Sequence, residues 1–195
     1  GSYTIIYNLK DHSNNETTSS LKIEIKDLEK PIAYWDKPLY FAVFDDKPIL
    51  ELLLSCEDNY DSKDDLTIKI TSSFKIDKIG RYLVTAEVTD KAKNKTIIYD
   101  YIEIYDDISP TVSLIKEIII TDFTPKQYQS YLNVSDNYDH EKDLTIQYDD
   151  SNVNYQKVGV YPIYFTITDL SNNQTIFKTE VYIIDIIPPV LSLQN

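Results

Sequence analysis

The chain has 195 residues, 42% of them hydrophobic, and carries 19 Lys and Arg against 32 Asp and Glu, a formal charge of −13. That composition supports a folded core, while the negative field repels phosphate backbones and anionic headgroups and so excludes nucleic acid and membrane surfaces as partners. No apolar run nears the roughly 18 residues of a membrane span, and a single cysteine, Cys56, rules out an intrachain disulfide or a thiol pair for zinc.

The opening "GSYTIIYN" has neither the basic end nor the apolar middle of a signal peptide, so the chain reads as an interior segment. From Tyr3 two strands are predicted around the turn "DHSNN", the second burying Ile23 and Ile25 before the boundary "DLEKP". A new unit opens with "PIAYWDKPLYFAVF", passes the acidic dozen "EDNYDSKDDLTI" at 57–68, and reaches "DKIGRYLV" from Asp77. There Val84, Ala86 and Val88 alternate with Leu83, Thr85 and Glu87, a period of two that predicts a strand with the first set facing a core. The turn "DKAKN" and a return strand burying Ile102 and Ile104 lead to "DDISP".

The order then repeats. "SDNYDHEKDLTI" at 135–146 stands 78 residues after the first acidic dozen, Gly80 and Gly159 are 79 apart, and Tyr82 and Tyr161 follow each glycine by two. Ile163, Phe165 and Ile167 point inward, "DLSNN" makes the turn, Val181 and Ile183 are buried on the return, and "DIIPP" ends the unit. Asn in these turns tolerates left-handed backbone and Asp caps its own turn. Pro31, Pro110 and Pro189 mark stiff, proline-bearing joints. The expected organisation is therefore the C-terminal hairpin of a preceding repeat at 1–30, repeats at 31–109 and 110–189, and the start of a further repeat at 190–195.

Glycine followed two residues later by tyrosine, as in Gly80-Tyr82 and Gly159-Tyr161, resembles the tyrosine corner of immunoglobulin-like sandwiches, with Val84 where antibody domains keep a cysteine. The sequence "DNYD…DLT", then "VGVY", then Thr-Asp-x-x-x-Asn-x-Thr, then Asp-x-x-Pro-Pro resembles tandem bacterial immunoglobulin-like repeats of surface and secreted proteins, the hyalin-repeat and cadherin-like group. The resemblance covers nearly all of residues 3 to 193. It implies an all-β fold of tandem immunoglobulin-like β-sandwiches in an elongated array, outside a bacterial cell, acting as a spacer, stalk or adhesive module. Its loops depart from the usual glycine pattern, carrying Tyr60-Asp61 and Tyr138-Asp139, and Lys93-Asn94 and Asn172-Asn173.

In such a sandwich the loop after the second strand and the final hairpin turn share one end with the incoming linker. That gathers Asp106, Asp107, Asp136, Asp139 and Asp169, and earlier Asp27, Glu29, Asp58, Asp61 and Asp90. Calcium takes six to eight oxygens at about 2.4 Å, and such a junction could supply them. The dozen is not an EF-hand: Tyr60 or Tyr138 stands at position three, and neither Gly at six nor Glu at twelve is present. The other reading is a solvated loop in which Asp58 and Asp136 cap a turn. Partners expected for the segment are neighbouring repeats of the same chain.

Tyr34, Trp35, Tyr40, Phe41 and Phe44 form an aromatic stretch in one repeat only, readable as a platform for glycan or a host surface protein, or as an opening strand. Cys56 aligns with Val134 as a small buried residue, and His12 and His140 fall at non-equivalent turns. With two internal glycines there is no phosphate-cradling loop and no G-x-S-x-G elbow, and no enzyme or required cofactor is expected.

Overall fold

The computed structural model describes residues 1–191, so the last four residues of the predicted further repeat lie outside the described residues. The chain divides into two compact units, Gly1–Ile104 and Tyr105–Asn195. Both are all-β.

In the first unit β1 (Ser2–Lys10) and β2 (Glu16–Glu24) form a hairpin. Next, β3 (Ile32–Trp35) pairs antiparallel with β5 (Leu54–Glu57), while β4 (Leu39–Ala42), β8 (Lys95–Tyr105), β7 (Gly80–Thr89) and β6 (Thr67–Ser72) lie side by side in that order. The second unit repeats the plan. β9 (Thr111–Leu114) pairs with β11 (Leu132–Ser135), and β10 (Ile118–Ile120), β14 (Gln174–Ile183), β13 (Gly159–Thr168) and β12 (Thr145–Asp149) make the larger sheet. Within that sheet β10 runs parallel to β14 and the other pairs are antiparallel.

Alternation explains the sandwich. Side chains two apart on a strand share a face, so Val84, Ala86 and Val88 on β7 and Ile163, Phe165 and Ile167 on β13 all reach zero exposure. Opposite them stand Leu54 and Cys56 of β5, or Leu132 and Val134 of β11. Each such apolar side chain contributes about 1.5–3 kcal/mol when fully buried. Cys56 is a buried free thiol in this core.

One expectation is corrected. Ile23 and Ile25 are 36% and 63% exposed, whereas Ile102, Ile104, Val181 and Ile183 are buried. The reason is layering: β1 and β2 pair only with each other, and among the described residues no second sheet covers their apolar face. The turns also differ by residue. Left-handed backbone falls on Asn14 (φ 65°) and Asn172 (φ 70°), as their chemistry favours, but on Lys93 (φ 75°) in the middle hairpin.

Candidate metal centre

The inward register of three strands does not stop where the apolar residues stop. Asp106 continues the phase of Ile102 and Ile104, Asp136 that of Leu132 and Val134, and Asp169 that of Ile163, Phe165 and Ile167. At one end of the second unit the core is thus closed by carboxylates. Asp106, Asp136, Asp139 and Asp169 each bring an oxygen to within 4.8 Å of the others. The first unit does the same with Asp27, Asp58 and Asp90, which continue the phases of β2, β5 and β7. Of the predicted junction residues, Asp107 and Glu29 are exposed and stand outside these groups, and Asp61 is absent from the first although its counterpart Asp139 belongs to the second.

Local hydrogen bonds fix each carboxylate. Asp136 Oδ2 accepts the backbone N–H groups of Tyr138 (2.9 Å) and Asp139 (3.0 Å), and Asp58 Oδ1 does the same for Tyr60 and Asp61. Asp139 Oδ2 accepts from Leu170 N at 2.7 Å, joining the acidic loop to the β13–β14 turn. Asp169 is bracketed by Asn173, whose backbone N–H and side-chain amide bond its two oxygens at 2.7 and 2.9 Å. Asp90 and Asn94 repeat the bracket in the first unit, and Asp11 and Asn15 repeat it in the opening hairpin. Turn capping and convergence are therefore both present: Asp58 and Asp136 cap with one oxygen and keep the other unbonded, whereas Asp90 and Asp169 have both oxygens held by their asparagines.

The incoming linker is latched to this end. Asn173 Nδ2 donates to the Asp106 carbonyl at 3.1 Å, and the Thr175 hydroxyl donates to the Pro110 carbonyl. Asn94 and Thr96 hold the carbonyls of Asp27 and Pro31 in the same way. This gives the Asp-x-x-x-Asn-x-Thr pattern a structural purpose. Asp bends the hairpin, and Asn and Thr grip the linker that leads in.

Burial makes the clusters chemically unusual. Among the described residues, the buried side-chain polar atoms without a hydrogen-bond partner are Asp27 Oδ2, Asp58 Oδ2, Asp106 Oδ2, Asp136 Oδ1 and the Trp35 indole nitrogen. All but the last belong to the two clusters. Native proteins leave few such groups, and each costs on the order of 1–3 kcal/mol, more when charged. Asp106 is only 6% exposed, so its unbonded oxygen is shielded from water within a residue that belongs to the cluster. A set of hard carboxylate oxygens without His or Cys fits calcium or a similar hard cation and not zinc. Asp106, Asp136, Asp139 and Asp169 would hold it in the second unit, and Asp27, Asp58 and Asp90 in the first. The cation would supply the positive charge that these oxygens otherwise lack.

The remaining predicted residues are placed as follows. Tyr161 Oη donates to the Lys157 carbonyl at 2.9 Å and Tyr82 Oη to the Lys78 carbonyl at 3.0 Å. Each ring lies back over its glycine: a Cβ on Gly159 would come within 3.0 Å of Tyr161 Oη, and one on Gly80 within 3.2 Å of Tyr82 Oη. Tyr34 and Trp35 occupy successive positions of β3 and so face opposite ways. Trp35 packs against the core, whereas Tyr34 and Tyr40 are 54% and 59% exposed. His12 and His140 are exposed turn residues.

No family model matches the chain, and no curated protein matches it. Solved structures similar to it include cadherin extracellular domains. Protocadherin Gamma B2 extracellular cadherin domains 1-5 align at 14% identity and a TM-score of 0.36, covering 96% of this chain and 46% of that one. The Protocadherin GammaB4 extracellular domain aligns at 10% identity and a TM-score of 0.36, covering 93% and 38%. Protocadherin Gamma B2 domains 3-6 align at 14% identity and a TM-score of 0.33, covering 93% and 57%. The chain thus spans less than two thirds of each.

Proposed function

We propose that this chain is a non-catalytic segment of immunoglobulin-like repeats, part of a bacterial surface or secreted protein, that spaces and presents other modules, and that calcium in the Asp clusters stiffens its linkers. The observation that carries the reading is the recurrence of one linker latch beside unpartnered, buried carboxylate oxygens: Asn94 and Thr96 with Asp27 and Asp58, then Asn173 and Thr175 with Asp106 and Asp136. A spacer needs linkers that hold their angle. A cation bound by Asp106, which directly follows β8, would tie that linker to the β11 loop and the β13–β14 turn at once. The sequence resemblance to tandem bacterial repeats supports the same role.

Small-angle X-ray scattering of the 195-residue chain, in chelator and then in millimolar calcium, tests the reading. Calcium is expected to narrow the distribution of end-to-end distances. Superimposable profiles would overturn calcium-dependent stiffening.

A second reading is an adhesin that binds glycan or a host protein through residues 34–44. The exposure of Tyr34, Tyr40 and Phe44 favours it, since exposed aromatic rings are the usual anchors of recognition surfaces. A glycan array and host-protein pull-down comparing the wild type with Tyr34→Ala/Tyr40→Ala decides it, and silence from both chains removes it for this segment.

A further inference from the structure

The two acidic ends are built alike but not identically. In the second unit four carboxylates converge, Asp106 among them buried and with a free oxygen. In the first, three converge; Asp61 is not one of them, although its Oδ2 accepts a bond from Lys91 N at 2.8 Å just as Asp139 Oδ2 accepts one from Leu170 N. The residue that makes this bond carries a positive charge in one unit and none in the other. Lys91 Nζ pairs with Asp65 Oδ1 at 2.7 Å, so the ammonium stands beside the acidic loop that carries Asp58 and Asp61. Leu170 brings no such competitor.

We infer that the two sites take calcium in a fixed order: the Asp106, Asp136, Asp139 and Asp169 cluster fills first, and the Asp27, Asp58 and Asp90 cluster fills only at higher calcium, because it has one carboxylate fewer and Lys91 for a neighbour. Calcium affinity follows ligand charge, and the carboxylate count and the Lys91 ammonium both lower it at the first site. This inference rests on the calcium reading above and gives it a regulation. At intermediate calcium one linker would be firm and the other loose.

Equilibrium dialysis with radiocalcium on the full chain tests it, using the wild type, Lys91→Leu, Asp139→Asn and Asp58→Asn, with circular dichroism to confirm that each is folded. The wild type is expected to bind in two steps separated by about tenfold or more. Lys91→Leu should strengthen only the weaker step, by about twofold to fivefold, the effect of one solvent-exposed charge. Asp139→Asn should weaken the tight step alone, and Asp58→Asn the weak one alone. If a single step is seen, its loss in Asp139→Asn supports the order and its loss in Asp58→Asn overturns it. Two equal steps, or a weaker step unmoved by Lys91→Leu, overturn the order while leaving calcium binding intact. Absence of binding by the wild type overturns the calcium reading itself.

Discussion

Asp106→Asn should change the stability of the second unit in opposite directions with and without calcium. Asparagine retains a carbonyl oxygen in place of Asp106 Oδ1, which accepts from Ile108 N at 3.1 Å and from Asn137 Nδ2 at 3.2 Å, so those contacts can survive. What changes is charge. Carboxylate oxygens 4.8 Å apart, the outer limit in this cluster, repel by roughly 3.5 kcal/mol per pair at an effective dielectric of about 20. Water reaching the half-buried Asp136 and Asp139 weakens this, leaving a net gain of about 1–2 kcal/mol when one charge is removed in chelator. For a unit of this size that raises the melting temperature by about 5–15 °C. With calcium at a hundredfold over its Kd, the wild type gains about 2.7 kcal/mol and the variant forfeits most of it. Thermal unfolding followed by far-ultraviolet circular dichroism should therefore rank the variant above the wild type in chelator and below it in calcium. A variant lying below the wild type by the same margin in both conditions would refute the reasoning, reducing Asp106 to its two hydrogen bonds.

Tyr161→Phe should cost about 1 kcal/mol for one lost hydrogen bond, read from the denaturant midpoint, and an unchanged midpoint would remove the corner from the stability account. Gly159→Ala should displace the same hydroxyl, so it should cost less in the Tyr161→Phe background than in the wild type; strict additivity would show that the ring and the glycine do not act together. Lys93→Asn should stabilise the first unit by about 0.5 kcal/mol, because asparagine tolerates the left-handed backbone that lysine adopts there. Asn172→Lys should do the reverse in the second unit, and equal signs in a urea titration would defeat that explanation.

Much of the fold was legible because its strands obey a period of two. Val84, Ala86 and Val88, and Ile163, Phe165 and Ile167, face inward as their alternation demands. The failure at Ile23 and Ile25 has a physical cause: alternation tells which face is apolar, but not whether a second layer covers it. The site was partly legible in the same way. Proximity along the chain made Asp106 and Asp107 look equivalent, yet only Asp106 is in phase with Ile102 and Ile104, and it is buried while Asp107 is exposed. Extending the inward register past the last apolar residue would have separated them. Nothing local showed that Asn173 and Thr175 reach back to the carbonyls of Asp106 and Pro110, because those contacts span more than 60 positions.

The parallel pairing of β10 with β14 has a mechanical consequence. The chain comes into the larger sheet of the second unit along β10 and leaves it along β14, with Ile118, Ile119 and Ile120 set against Val181, Tyr182 and Ile183, and Ile184 N bonded to the Ile120 carbonyl at 3.0 Å. Tension along the chain would drag these two strands past each other in the line of their own axes. A ladder loaded in that way must break its bonds together, whereas a hairpin such as β1–β2 peeled from its open end yields them one by one. The short contact between the first and last strands of that sheet is therefore where the unit would resist being stretched.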